Sequence, residues 1–253
     1  MDKTVVKGFQ VLELLVQAEA PMSLTGLTTL SGLKKSNVHR LLSTLVALGY
    51  VRRGEASLYE PSLRVWELGQ RVYGRLSIAS VARPHLRRLV EQTGESAHLA
   101  IFDRVEIVYV DRVETANPVR AYTVIGGRAP AYCTASGKAL LAWQPPETVR
   151  AVADTIRRLT QATIADHRGL VRELATVRNL GYAINIGEFR DNVAGLAAPI
   201  RLGDGEAIAA VGISGPLDRL RARKIKSLAP VVVSAAETIA RAMRAPAHGA
   251  GRP

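Results

Sequence analysis

Residues 136–138 (SGK) have the composition of a phosphate-binding loop, in which backbone amides and a lysine surround phosphate groups. That motif requires a glycine five positions before its second glycine and a serine or threonine directly after the lysine. Tyr132 and Ala139 stand at these two positions, so the sequence does not match the motif. The segment can also begin a helix, whose first N–H groups suit a carboxylate. A capped helix that binds nothing is the alternative.

Catalytic and metal-binding patterns are not found in the sequence. Cys133 is the only thiol, and no motif joins it to a general base. A single cysteine excludes an internal disulfide and a zinc site built from cysteines, and a buried or pocket-lining position is expected for it. The five histidines lack metal-ligand spacing; they are His39, His85, His98, His167 and His248. We therefore predict no catalytic residues, no metal and no cofactor.

Residues 35–48 are predicted to form a helix with the residue types that read DNA. One side of this helix is aliphatic, and the opposite side carries Ser36, Arg40, Ser43 and Ala47, with Asn37 at its edge. Small side chains let a helix enter the major groove, and Arg and Asn recognise guanine and adenine. Lys34 and Lys35 precede the helix, where phosphate contacts are expected. A structural three-helix module with a solvated outer face is the alternative interpretation.

The elements around this helix follow the order of a winged helix-turn-helix. Residues 4–18 have helical spacing of apolar residues, and Ser23 caps a short second helix that Gly32 ends. Residues 50–59 are typical of two short strands around a polar turn, and a further helix runs to about Arg75.

The rest of the chain mixes helices and strands. Helices are predicted at about residues 81–93, 136–143, 146–156, 166–180 and 216–244, and strands at residues 97–102, 106–112, 119–124, 182–186, 195–200 and 207–214. Gly203 and Gly205 indicate a hairpin between the last two strands. This mixture predicts an α+β domain.

Composition is that of a soluble globular protein of one or two domains. The chain has 253 residues, of which 47% are hydrophobic and 22% charged. No uncharged apolar run reaches the length of a membrane helix, and Lys7, Gln10 and Glu13 interrupt any signal-peptide pattern. We therefore expect a bacterial-type cytoplasmic protein.

The net charge of +12 favours an anionic partner such as nucleic acid. Residues 1–75 hold 10 basic and 6 acidic residues, and the remainder holds 24 and 16. Because the excess is spread along the chain, charge alone does not locate the contact.

Several segments together resemble the IclR-type transcriptional regulators. They are residues 32–45 (GLKKSNVHRLLSTL), 49–51 (GYV), 67–69 (ELG), 134–142 (TASGKALLA), 181–183 (GYA), 188–189 (EF) and 197–200 (AAPI). The matches follow the family's order and approximate spacing over most of the chain, so the resemblance is more specific than any single motif.

The resemblance implies an N-terminal winged helix-turn-helix domain with a linker helix at residues 1–75. It also implies an α+β, GAF-like effector-binding domain at residues 76–245, and we expect a disordered tail at residues 246–253. The implied partners are a palindromic double-stranded operator, a small organic or aromatic acid, and further copies of the chain in a homodimer or a tetramer. The candidate DNA-contacting residues are Lys34, Lys35, Ser36, Asn37, His39, Arg40, Arg52 and Arg53.

In the effector domain, the resemblance places the polar end of a ligand against the backbone of Ala135, Ser136 and Gly137. Tyr132 and Cys133 would line the wall of the pocket. Lys138 is expected not to touch the ligand, and its role is either solvent-facing or structural.

Two positions depart from the family pattern. Asn185 stands where many relatives carry an acidic residue, and Gly195 stands where many carry cysteine. Asn185 would keep a hydrogen bond without the charge, and Gly195 would leave room for a larger or aromatic ligand.

Two other functions are alternatives to this one. An enzyme would need a general base, a nucleophile or metal ligands that meet at one site. Turnover of a bound ligand would favour an enzymatic function. A non-specific nucleic-acid binder would bind operator and scrambled DNA with equal affinity.

Overall fold

The computed structural model describes residues 1–74, 76–121, 123–203 and 205–244. The chain divides into two compact units, of which the first ends at Leu76 and the second begins at Ser77. The predicted α+β class is confirmed. The predicted disordered tail, residues 246–253, lies outside the described residues. Within the described ranges, every helix is too short or too polar to cross a bilayer.

The N-terminal unit has the predicted order of helices and strands. Its elements are α1 (Lys3–Gln17), α2 (Leu24–Ser31), α3 (Lys35–Ala47), β1 (Val51–Arg53), β2 (Tyr59–Pro61) and α4 (Leu63–Gly74). The strands β1 and β2 pair antiparallel and form the wing.

Local capping sets the turn between α2 and α3. The Ser23 hydroxyl accepts a hydrogen bond from the Gly26 N–H at 3.1 Å and caps the start of α2. Gly32 ends this helix with a φ of 67°, a left-handed conformation that glycine adopts without a steric penalty. The α3 helix packs through buried residues such as Val38 and Leu42. Its opposite face is therefore left to solvent.

The second unit contains the remaining elements. They are α5 (Ser77–Thr93), β3 (Ser96–Asp103), β4 (Glu106–Val113), β5 (Arg128–Pro130), α6 (Ala135–Leu141), α7 (Pro146–Ala153), α8 (His167–Leu180), β6 (Ala183–Ile186), β7 (Val193–Arg201), β8 (Ala207–Pro216) and α9 (Ala222–Arg244).

The six strands form one antiparallel sheet in the order β5-β4-β3-β8-β7-β6. The strand predicted at residues 119–124 was wrong, because its described residues form no strand and β4 pairs instead with β5. Its apolar side chains Val119 and Val124 are exposed, so the apolar pattern there does not mark a buried strand.

Helices cover both faces of this sheet. The long helices α5 and α9 contact each other; α5 packs against β3, and α9 packs against β7. The α6 helix belongs to a separate buried cluster and contacts β3, β6, β7 and β8. Small residues on the α6 face, such as Ala183, Ala197 and Ala210, let this helix approach the strands closely. The cavity described below lies between the sheet and the N-terminal end of α6.

Candidate functional site

The α3 helix presents a basic, exposed surface. Ser36, His39 and Arg40 are exposed, and Asn37 is half-buried at the edge of the same face. Lys34 and Lys35, also exposed, stand at the start of the helix.

The chain segment that contains α3 carries charge of one sign. No acidic residue stands between Glu19 and Glu55, a stretch that includes all of α2, α3 and β1. Such a surface suits the phosphates of a duplex.

The wing holds its two arginines in defined positions. The Arg52 side chain forms an ion pair with Glu60 at 3.0 Å but remains 69% exposed. Arg53 donates to the Ser57 hydroxyl at 2.6 Å and lies over the Tyr59 ring at 5.8 Å. Both guanidinium groups are therefore ordered at the surface, where they can contact DNA backbone.

A cavity of about 160 Å³ lies between the sheet and the N-terminal end of α6. The pairing register of the sheet places three lining residues side by side, because Gly195 of β7 lies opposite both Asn185 of β6 and Ser214 of β8. His98 of β3 lies opposite Gly212 of β8, two residues from Ser214, and so faces the same side.

His98 is a buried, uncharged group in the lining of this cavity. Its Nε2 lies 2.9 Å from the Ser136 hydroxyl, and its ring meets the Tyr109 ring edge-on at 5.1 Å. Burial lowers the pKa of His98 to about 4, so the imidazole is neutral at physiological pH. Gly212 leaves space for the ring, because a Cβ there would lie 3.1 Å from Nε2.

Two buried polar atoms in the cavity lining lack a hydrogen-bond partner among the described residues. The Nδ1 atom of His98 and the hydroxyl of Ser214 have no hydrogen bond in the described chain. Burial also raises the pKa of Tyr109 to about 12, which keeps its hydroxyl protonated. Because burying an unpaired polar group is costly, these atoms mark a place where a ligand can supply partners.

The charge of the lining is positive. Its described residues include Arg128 and Arg190 but no aspartate or glutamate. Arg128 is paired with Asp103 and Glu106, whereas Arg190 lies over the Phe189 ring at 5.4 Å. An anionic ligand is compatible with such a lining.

Two family models match this chain. The model of the IclR helix-turn-helix domain covers residues 4–55, and the model "Bacterial transcriptional regulator IclR C-terminal" covers residues 70–241. The chain belongs to the IclR family. It is therefore a DNA-binding transcription regulator with an effector-binding C-terminal domain, and its family is one of regulators rather than enzymes.

Known IclR-family proteins resemble it over nearly their whole length. The HTH-type transcriptional regulator KipR of Bacillus subtilis is 32% identical, with 95% of this chain and 96% of that protein covered. The crystal structure of Thermotoga maritima IclR has a TM-score of 0.78 at 30% identity, covering 95% and 98% of the two chains. An IclR homolog from Microbacterium hydrocarbonoxydans, crystallised with 4-hydroxybenzoate, has a TM-score of 0.80 at 27% identity, covering 95% and 100%.

Four of the seven effector residues expected from the IclR resemblance line the cavity. These are Ala135, Ser136, Asn185 and Gly195. A Cβ at Gly195 would lie 3.6 Å from the Ala135 Cβ and 3.3 Å from the Ile213 carbonyl oxygen. A larger residue at this position would therefore narrow the gap between β7 and α6.

The other three expected residues, Tyr132, Cys133 and Gly137, lie outside the lining, which differs from the expectation. The Tyr132 hydroxyl instead donates to the Arg157 carbonyl at 3.0 Å, and Cys133 is fully buried. Burial raises the pKa of Cys133 to about 12, so its thiol stays protonated.

Gly137 has a packing role instead. Its N–H donates to the Thr134 hydroxyl at 3.2 Å, so this backbone donor is not available to a ligand. A Cβ at this position would lie 2.4 Å from the Ala131 Cα. Only glycine allows the chain before α6 to pass this closely.

Lys138 has the structural role that was one of the two expectations. Its side chain is 1% exposed, and Nζ donates to Glu173 at 2.9 Å and to Glu188 at 2.6 Å. Burial raises the pKa of Glu188, while the Lys138 charge acts in the opposite direction.

Sequence reasoning missed His98, Tyr109, Arg190 and Ser214 as lining residues. His98 had a usable signal, since it is a polar residue within the strand pattern of residues 97–102. The other three carry no motif: the sheet register brings Tyr109 of β4 and Ser214 of β8 together, and Arg190 lies between β6 and β7.

Proposed function

We propose that this IclR-family protein binds a palindromic operator and changes its operator affinity when a small organic or aromatic acid occupies the cavity beneath α6. The cavity carries this proposal, because it combines buried polar atoms that lack partners with a lining free of carboxylates among the described residues.

Operator reading is assigned to α3 and to the wing. Four residues of α3 are proposed to face the base edges in the major groove, as expected for a recognition helix; they are Arg40, Asn37, Ser36 and His39. The remaining candidates are proposed to contact phosphates; they are Lys34, Lys35, Arg52 and Arg53.

A palindromic operator requires two recognition helices related by a two-fold axis. We therefore propose that the protein acts as a homodimer, or as a tetramer made of two dimers.

The effector class follows from the chemistry of the cavity. Its volume of about 160 Å³ is below the range of about 300–1,000 Å³ that is usual for drug-sized ligands, which favours a small metabolite. The Microbacterium homolog was crystallised with 4-hydroxybenzoate, an aromatic acid. We propose that Ala135, Ser136 and Asn185 surround the polar end of such an acid, and that Gly195 leaves space for its body.

The experiment compares Ser136→Leu with Ser136→Ala. Both variants remove the hydroxyl that contacts His98, but only leucine fills the cavity. We expect 4-hydroxybenzoate, titrated calorimetrically, to bind the alanine variant and not the leucine variant. Both should bind an operator selected from a random DNA pool in the absence of ligand. Equal ligand binding by both variants would place the effector site elsewhere.

A further inference from the structure

The C-terminal unit contains a second cavity at one edge of its sheet. The last strand, β6, pairs with β7 only from Ala194 to Ala197, so residues 198–201 of β7 extend beyond their neighbour. One side of α9 and the Trp143 ring enclose the space beside this extension. This edge cavity has a volume of about 390 Å³, and none of its described lining residues belongs to the cavity beneath α6.

Three arginines line the edge cavity. Arg201 comes from β7, whereas Arg241 and Arg244 come from the last turns of α9. In the described part of the chain, none of the three forms an ion pair with a carboxylate. Glu237 is the one acidic residue among the described lining residues, and it stands one turn before Arg241, yet Arg241 donates instead to the Thr238 hydroxyl at 3.0 Å. The lining therefore has a net positive charge.

The guanidinium groups are positioned by contacts that leave donors unused. Arg201 lies over the Trp143 ring at 3.6 Å from its centroid and donates from Nε to the Gly205 carbonyl at 3.2 Å. Arg244 donates from Nη2 to the Arg201 carbonyl at 3.0 Å, which brings these two arginines together. Because a guanidinium has several N–H donors, each group keeps some of them for a ligand.

The chemistry of the edge cavity suits a phosphate ester. A planar guanidinium binds phosphate through two parallel hydrogen bonds. A phosphate monoester carries a charge of about −1.5 to −2 at neutral pH, which opposes the positive charge of the lining. Small apolar residues form another part of the wall and can contact a carbon skeleton; they include Ala198, Ala236 and Ala240. The volume lies within the range of about 300–1,000 Å³ that is usual for small-molecule sites.

We propose that the edge cavity is a second ligand site, which binds a small phosphate monoester through Arg201, Arg241 and Arg244. The phosphate lies among the three guanidinium groups, and the carbon skeleton lies against the alanines. This site is separate from the effector cavity beneath α6 and does not depend on it.

Trp143 reports directly on this site, because Arg201 covers its ring. The full chain with Trp66→Phe keeps Trp143 as its one tryptophan. The probes are glycerol 3-phosphate and phenyl phosphate, with their parent alcohols, glycerol and phenol, and the dicarboxylate succinate for comparison. We expect at least one ester to cause a saturable change in Trp143 fluorescence and to bind more tightly than succinate. The two alcohols should cause no saturable change.

Substitutions in α9 test the charge. Arg241→Gln combined with Arg244→Gln should weaken the ester about tenfold or more, as expected for lost hydrogen bonds to a charged group. Arg223→Gln combined with Lys226→Gln removes the same charge at exposed positions near the start of α9 and should leave ester affinity unchanged. Glu237→Gln removes the negative charge from the lining and should tighten ester binding roughly two- to fivefold, a gain that a loss of folding cannot produce.

Four results would overturn the proposal. They are no saturable response to either ester, equal weakening by the two double variants, unchanged or weaker binding by Glu237→Gln, and tighter binding of succinate than of both esters. Ser136→Leu, which fills the cavity beneath α6, should keep ester binding. Its loss in that variant would place the ester in the cavity beneath α6 and would also overturn the second site.

Discussion

Acid should destabilise the C-terminal unit through His98. This imidazole is 5% exposed, and burial lowers its pKa from 6.5 to about 4. Between these two pH values the unfolded chain binds a proton that the folded chain does not, so the free energy of unfolding falls as the pH falls.

The magnitude follows from the size of the shift. At about 1.4 kcal/mol per pKa unit, the contribution of His98 is complete above pH 6.5 and decreases by about 2 kcal/mol at pH 5. The full loss, about 3 kcal/mol, is reached below pH 4. The raised pKa of Glu188 acts with the opposite sign, because its ionisation costs stability as the pH rises.

The assay is urea unfolding from pH 5 to pH 8, followed by tryptophan fluorescence. The protein has two tryptophans, and a Trp66→Phe background leaves only Trp143, which lies in the C-terminal unit. His98→Gln should remove the His98 part of the pH dependence, since its amide can still bond to Ser136 without titrating. A His98→Gln variant with the wild-type pH dependence would refute the assignment.

Three further outcomes are expected. Arg40→Ala should lower affinity for the selected operator by about 1–3 kcal/mol in fluorescence anisotropy and affect scrambled DNA less; an equal loss on both would make Arg40 a phosphate contact. Replacing Arg52 and Arg53 with alanine should make the salt dependence of binding shallower by up to about one unit of slope per lost phosphate contact, and an unchanged slope would remove the wing from the DNA. Gly137→Ala should destabilise the C-terminal unit by about 1–3 kcal/mol in urea unfolding, because the added Cβ would overlap the Ala131 backbone. Gly205→Ala, whose added Cβ would meet nothing within 4 Å, should not lower the stability. Equal stability of the two variants would contradict the packing role of Gly137.

The helices were predictable where short-range chemistry specifies their ends. Ser23 and Gly32 bound α2, as the capping pattern in the sequence indicates. The helix predicted at residues 166–180 is α8, which Asp166 and Gly181 bound in the structure. The outward face of α3 was predictable for the same reason, since helical spacing alone assigns Arg40 to the side opposite Val38.

The cavity was less predictable because its residues meet through long-range pairing. His98, Asn185 and Ser214 come from three strands, and only the observed register of the sheet brings them to one face. Residues 135–137 were recognised as one segment, but Gly137 lies outside the cavity lining because the chain there packs closely against Ala131. The spacing of residues in the sequence does not predict how closely Gly137 approaches Ala131.

Thermodynamic linkage tests directly whether a small acid in the C-terminal cavity changes operator affinity. Operator affinity is measured by fluorescence anisotropy with and without saturating 4-hydroxybenzoate, and the affinity for this acid is measured by calorimetry with and without saturating operator. Both affinities should change by the same factor and in the same direction, and Ser136→Leu should abolish the change. An acid that binds wild type while leaving operator affinity unchanged would contradict the claim.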